Sequence, residues 1–205
     1  MAFRLPKLDR RHSVAVFCGS GFGDSPKYRQ EIEKLGAITK KLDWRLVYGA
    51  GSTGLMGAVA RARDDKKTRM DIYAVTQKII MAFERPIRGI LFRTAGTMQE
   101  RKREFLRVSD AFIIFPGGVG TIDEFFDVLV EKDIRFKHHK IFPEKKRIDD
   151  ARPLVLVNIN GYWDPLIRFL KDAVRKKFAM KEVLGMFVVA RNAEEAVRLA
   201  APAKK

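Results

Sequence analysis

Arg101, Lys102 and Glu124 are the residues whose types and placement could do chemistry. Glu124 belongs to the stretch Phe115–Asp127, FPGGVGTIDEFFD, with glycines at 117, 118 and 120. Glycines let a backbone turn sharply and leave its N–H groups open to a ligand. The apolar residues Ile122, Phe125, Phe126 and Leu129 then follow at the spacing of one helix face. A strand, a glycine loop and a helix start present free N–H groups and a positive dipole end, a suitable seat for a phosphate. The loop residues Gly117, Gly118, Val119, Gly120 and Thr121 are therefore candidate anion ligands, and Glu124 is a carboxylate in the first turn beside them. Arg101 could add a planar bidentate fork and Lys102 a point charge.

Each of these residues has a plainer alternative. Thr121-x-x-Glu124 matches a capping box, with Thr121 as N-cap and Glu124 reaching back to its N–H. Arg101 and Lys102 could lie on a solvated helix face. Cys18 reads as a small buried residue without a partner base. His12 sits in a basic arm, and His138 and His139 are adjacent, so the histidines lack metal-ligand spacing. No metal site is expected.

These side chains need a scaffold. Ser13–Cys18, Arg45–Tyr48, Asp71–Val75, Gly89–Arg93, Ala111–Phe115, Leu154–Asn158 and Met186–Ala190 read as short buried strands. Helices are expected between them. One is capped by Ser25 with Pro26 at its first position and a stripe of Ile32, Leu35, Ile38 and Leu42. Others span Leu55–Arg63, Met98–Val108 after a Thr97-x-x-Glu100 capping box, Ile122–Val130, a segment from Asp164, and Ala193–Ala200. Thr76–Arg88 is ambiguous, and the basic stretch Glu131–Arg152 reads as a surface loop. Alternating strands and helices imply an α/β, Rossmann-like three-layer fold with a central parallel sheet. Gly19–Gly23 and Gly49–Gly54 would then join the third glycine loop at the carboxyl ends of the strands, where such sheets bind ligands. Together the loops suggest a nucleotide or sugar phosphate. Gly49–Gly54 also spells G-x-G-x-x-G, but it follows the second strand, so a dinucleotide site is not favoured.

The chain has 205 residues and a net charge of +16. That length fits one domain, read as 13–205 behind a basic arm at 1–12. The charge admits nucleic acid as a partner, but no helix-turn-helix, zinc-finger or RNA-recognition signature accompanies it, and spread over solvated faces is favoured. The longest apolar runs are strand-sized, so no membrane span is expected. The N-terminus lacks an apolar core and a cleavage site, and a single cysteine suits a reducing cytoplasm.

With the motifs in hand, the chain resembles the LOG (Lonely Guy) family of cytokinin riboside 5'-monophosphate phosphoribohydrolases, often labelled lysine decarboxylases. The family's P-G-G-x-G-T-x-x-E is matched by Pro116, Gly117, Gly118, Gly120, Thr121 and Glu124, and its upstream R-K pair by Arg101 and Lys102. Val16–Ser20, Tyr48–Gly57 and Asn158–Leu166 resemble its other conserved stretches. The resemblance implies a usually dimeric hydrolase of adenine-type nucleoside 5'-monophosphates, yielding free base and ribose 5-phosphate without metal or organic cofactor. It implies Arg101 and Glu124 as the catalytic pair. Substrate contacts would come from Gly19, Ser20, Glu84, Arg101, Lys102 and the loop Gly117–Thr121. Gln99, Ala50 and Thr76-Gln77 depart from the family pattern, which leaves the base open between prenylated adenine and another purine.

Overall fold

The computed structural model describes residues 11–63, 71–81, 87–141 and 151–202. Among the described residues seven strands form one sheet: β1 (Ser13–Phe17), β2 (Arg45–Tyr48), β3 (Ile72–Gln77), β4 (Leu91–Ala95), β5 (Ala111–Ile114), β6 (Leu154–Val157) and β7 (Val188–Ala190). Their order is β4-β3-β2-β1-β5-β6-β7, and every pairing is parallel. β1, β2, β5 and β6 are buried along their whole length, as their unbroken apolar runs require.

Helices cover both faces. They are α1 (Pro26–Lys41), α2 (Gly54–Arg61), α3 (Lys78–Met81), α4 (Met98–Val108), α5 (Val119–Ile141), α6 (Asp164–Arg175) and α7 (Ala193–Ala200). One core layer joins Val14, Val16, Leu46 and Ile113 to Ile32 and Leu35 of α1, Leu55 and Val59 of α2, and Ala196 of α7. The other joins Ala15, Phe17, Phe112 and Ile114 to Phe105 of α4, Phe125 and Val128 of α5, and Leu170 of α6. The alternation along β1, Val14 and Val16 up, Ala15 and Phe17 down, divides the two layers.

The sheet winds outward from β1 to β4, returns, and continues from β5 to β7. Its switch point lies between β1 and β5, where the register is Val14↔Ala111 to Phe17↔Ile114. Crevices form at the carboxyl ends of strands at such a point, and two of the glycine loops leave from these two strands.

Several expectations need correction. α5 begins at Val119 and runs for 23 residues, so Glu131–Ile141 is helix rather than loop. The i,i+4 pairs Glu131–Arg135 and Asp133–Lys137 support this charged, solvated extension. Pro143 lies outside the described residues. Leu42 caps the end of α1 and is 48% exposed instead of completing its apolar stripe. β3 extends through Thr76 and Gln77, and β4 starts at Leu91, past Gly89. His12 is fixed to the body. Its Nε2 lies 2.9 Å from the carbonyl of Ala200, and its ring meets Trp44 edge-on.

Candidate functional site

Three loops are bonded to one another at the switch point. The N–H of Gly19 donates to the carbonyl of Pro116 at 3.0 Å, and the carbonyl of Gly19 accepts from the N–H of Leu55 at 3.1 Å. Close approach dictates two of the glycines. A Cβ on Gly117 would stand 2.2 Å from Oγ1 of Thr121 and 2.8 Å from the N of Gly19. Gly54 has a φ of +54° and comes so near Ser20 that a Cβ would lie 2.1 Å from its carbonyl oxygen. Ala50, between two glycines of the second loop, adopts a φ of 74° although it has a Cβ.

Beyond Gly117 the chain opens. Among the described residues, nothing beyond the adjoining backbone lies within 4 Å of a Cβ built on Gly118 or Gly120. The N–H of Ile122 bonds to the carbonyl of Gly118 at 3.1 Å, so helical bonding starts there. Thr121 therefore stands inside the first turn, buried beneath Gly117, and is not the N-cap. That removes the capping-box reading of Glu124.

Glu124 turns to Arg101 instead. Oε1 accepts a hydrogen bond from Nη1 of Arg101 at 3.0 Å. Both side chains are about one-tenth exposed, 10% for Arg101 and 12% for Glu124. Arg101 does not lie on a solvated face. Its Nε donates to the carbonyl of Val75 at 3.2 Å, and its guanidinium lies 4.9 Å from the ring centre of Phe105. The start of α4 is held by Thr97, whose hydroxyl accepts the N–H of Glu100 at 3.1 Å. The Glu100 carboxylate completes the cap one residue earlier than the motif predicts, accepting the N–H of Gly96 at 2.8 Å.

Burial pushes the Glu124 carboxyl up, Arg101 pulls it down, and Asp123 and Asp127 push it up again. The result is a pKa of about 7. A carboxyl poised there holds a proton part of the time at neutral pH, which suits acid–base work. Cys18 also borders the site, where burial and the nearby Glu124 raise its thiol far above the usual range. It is a wall, not a nucleophile.

These groups surround a cavity of about 430 Å³. Arg101, Glu124, Ser20 and the Gly118–Thr121 turn supply its polar lining, and Met56, Ile80 and Met98 its apolar lining. Gly19 also borders it, while Gly117 faces an adjoining recess with Tyr28 and Tyr162. The Tyr162 hydroxyl donates to the carbonyl of Gly117 at 2.7 Å and braces the loop from behind. Lys102 is not part of the cavity wall. Its Nζ donates to Asp123 at 2.8 Å and lies 2.9 Å from Asp127. Glu84 lies outside the described residues. A larger cavity, about 620 Å³, opens beside Arg152, Pro153 and Phe187. It sits at the amino ends of β6 and β7, away from every glycine loop.

Three contributors escaped the sequence reading. Gly49 makes room for Arg101, because a Cβ there would stand 2.7 Å from Nη2. Tyr162 was visible only as part of a resembling stretch, and Asp123 only as the neighbour of Glu124. Among the described residues no group of three or more His, Cys, Asp or Glu side chains is placed to hold a metal. No helix of the described residues is long and apolar enough to cross a membrane.

Residues 56–200 match the family described as "Possible lysine decarboxylase". The chain is 34% identical over 189 residues to a probable cytokinin riboside 5'-monophosphate phosphoribohydrolase of Oryza sativa subsp. japonica, covering 91% of this chain and 70% of that one. It is 34% identical over 190 residues to a cytokinin riboside 5'-monophosphate phosphoribohydrolase of Arabidopsis thaliana, with 90% and 79% covered. For the enzyme of the same name from Rhodococcoides fascians the figures are 32% over 186 residues, with 90% and 87% covered. Among solved structures, the molybdenum cofactor carrier protein of Chlamydomonas reinhardtii superposes with a TM-score of 0.63 at 15% identity, covering 92% of this chain and 95% of that one. The molybdenum cofactor binding protein of Rippkaea orientalis gives 0.60 at 18%, with 93% and 95% covered. At such identities these two speak for the fold alone.

Proposed function

Because the chain belongs to the LOG family, we propose that it is a phosphoribohydrolase, cleaving the N-glycosidic bond of purine nucleoside 5'-monophosphates to free base and ribose 5-phosphate. The observation that carries this reading is the 3.0 Å pair of Arg101 and Glu124 beside an open glycine turn. The N–H groups at the start of α5, with the Thr121 hydroxyl, receive the 5'-phosphate. Arg101 completes that grip and remains close to Glu124. Binding energy from the phosphate, which does not react, thereby positions the bond that does.

Breaking the C1'–N bond sends its electron pair to the base nitrogen and leaves positive charge on the ribose ring. The Glu124 carboxylate stabilises that charge and orients a water. The water oxygen bonds to C1', its proton passes to Glu124, and Glu124 passes that proton on to the departing base nitrogen, which regenerates the carboxylate. A carboxyl with a pKa of about 7 can take up that proton and release it again within one turnover. Gly19 and Ser20 line the ribose side of the cavity. The enzyme acts as a homodimer in the cytoplasm on this reading, which sedimentation and fractionation would check.

Incubation of the purified protein with AMP, followed by assay of adenine and ribose 5-phosphate, tests the proposal. Equimolar release of both, with little from adenosine, is expected. Absence of base release from AMP and from prenylated adenosine monophosphate would overturn it.

A further inference from the structure

Glu104 lies on α4, one turn beyond Arg101, and borders no part of the cavity. Its side chain is only 2% exposed, yet two guanidiniums and a phenol converge on it. Tyr73 of β3 donates its hydroxyl to Oε1 at 2.7 Å, and Arg93 of β4 donates to Oε2 at 2.5 Å. Arg107, further along α4, donates to both oxygens at 2.7 and 2.9 Å. Burial pushes the Glu104 carboxyl up, but hydrogen bonds from Arg107 and Tyr73 and the charges of Arg107 and Arg93 outweigh it and hold the carboxyl below its usual range. A buried ion group of this kind adds little stability over apolar residues of the same volume. What it does fix is direction.

We infer that Glu104 is a positioning residue for the site: gathered by Tyr73, Arg93 and Arg107, it locks α4 onto β3 and β4 and thereby aims Arg101. Two polar bonds join α4 to β3. Tyr73 reaches Glu104, and the carbonyl of Val75 accepts from Nε of Arg101 at 3.2 Å. Tyr73 and Val75 point to the same face of the sheet, and Arg101 and Glu104 are both buried on the inner side of α4. The two bonds therefore run side by side, and a turn or slide of the helix that breaks one strains the other. Arg93 adds a hold from the next strand. Phe105 packs on Phe17 and sets how deeply α4 sits, but an apolar contact is non-directional. With the helix so fixed, Nη1 of Arg101 meets Glu124 at 3.0 Å. The consequence for substrates rests on the hydrolase reading above; the aim of Arg101 does not.

The test follows the Nε–H signal of Arg101 by NMR, assigned through Arg101→Lys, in wild type, Tyr73→Phe and Glu104→Gln. Exchange of that proton with solvent is expected to quicken about tenfold or more in Glu104→Gln and about threefold in Tyr73→Phe, as its bond to Val75 opens more often. Tyr73→Phe leaves the carboxylate between its two arginines, so the fold survives and its signal decides the matter by itself. Kinetics supply the second readout: in Glu104→Gln the preference in kcat/KM for AMP over adenosine falls about fivefold or more, because the guanidinium has lost its aim at the phosphate. The exchange measurement needs no turnover and stands whether or not the protein releases base. An unchanged Arg101 signal in Tyr73→Phe overturns the inference. So does an equal loss of kcat/KM for AMP and adenosine, the mark of a protein that has merely lost folded molecules.

Discussion

A Cβ on Gly49 would stand 2.7 Å from Nη2 of Arg101. The turn after β2 is thus shaped around a guanidinium carried by α4, 52 positions further along the chain at Arg101 (101 − 49). The methyl group of Gly49→Ala would meet a flexible side-chain end rather than backbone. The variant should therefore keep its thermal midpoint within a few degrees, while Arg101 shifts and kcat/KM for AMP falls about tenfold or more. Calorimetry and steady-state kinetics on one preparation check this. A fully active variant would show that Arg101 has slack.

Glu124→Gln is expected to cut turnover by about a hundredfold or more with the fold retained, since Glu124 caps no helix end. The same variant isolates a pH effect on stability. The folded pKa of about 7 lies above the ordinary 4.5, so between these values the folded state binds more protons than the unfolded one. Wild-type stability should therefore fall as pH rises from about 4.5 to 7, by up to a few kcal/mol, and level off above. Urea unfolding across this window should show that slope in wild type and not in Glu124→Gln.

For Arg101→Ala, two consequences separate its roles. Removal of a phosphate clamp should erase most of the preference for AMP over adenosine. Arg101 also lowers the Glu124 pKa, so the acidic limb of the remaining activity should move to higher pH. A preference for AMP that survives intact would remove Arg101 from phosphate binding.

Ala50 holds a φ of 74°, a conformation that costs a residue with a Cβ on the order of 1–2 kcal/mol. Ala50→Gly should relieve it and raise the unfolding free energy by about 1 kcal/mol despite the greater freedom of glycine when unfolded. Chemical denaturation measures this. A less stable variant would mean that the buried Ala50 methyl group contributes more by packing than its backbone costs.

The sheet was legible because β1, β2, β5 and β6 are short apolar runs between turn residues, and burial on both faces leaves no other use for such runs. α5 was misread at both ends for opposite reasons. At its start, glycines 118 and 120 suggested a loop, yet Gly120 already belongs to the helix. At its end, a stretch too charged to show an apolar stripe is helical through pairing along its own surface. The pairing of Arg101 with Glu124 could not be read from either residue. It became legible only through two motifs at matched spacing, because a contact across 23 positions depends on where β4 and β5 place the helices that follow them. The space left by Gly49 had no local signal at all, since the group that needs it belongs to another helix.

The bond between Gly19 and Pro116 joins two half-sheets that the chain completes far apart: Ser13 and Asp110, which meet beside the same seam, are separated by 97 positions. β1 to β4 and their helices can form through nearer contacts, but the crevice has no second wall until β5 docks on β1. Closure of so long a loop is slow, because its entropy is lost before the new contacts compensate. Catalytic competence is therefore a late event in folding. During refolding from denaturant, helical signal should return first, and the regain of hydrolysis times the moment when the two halves of the chain meet.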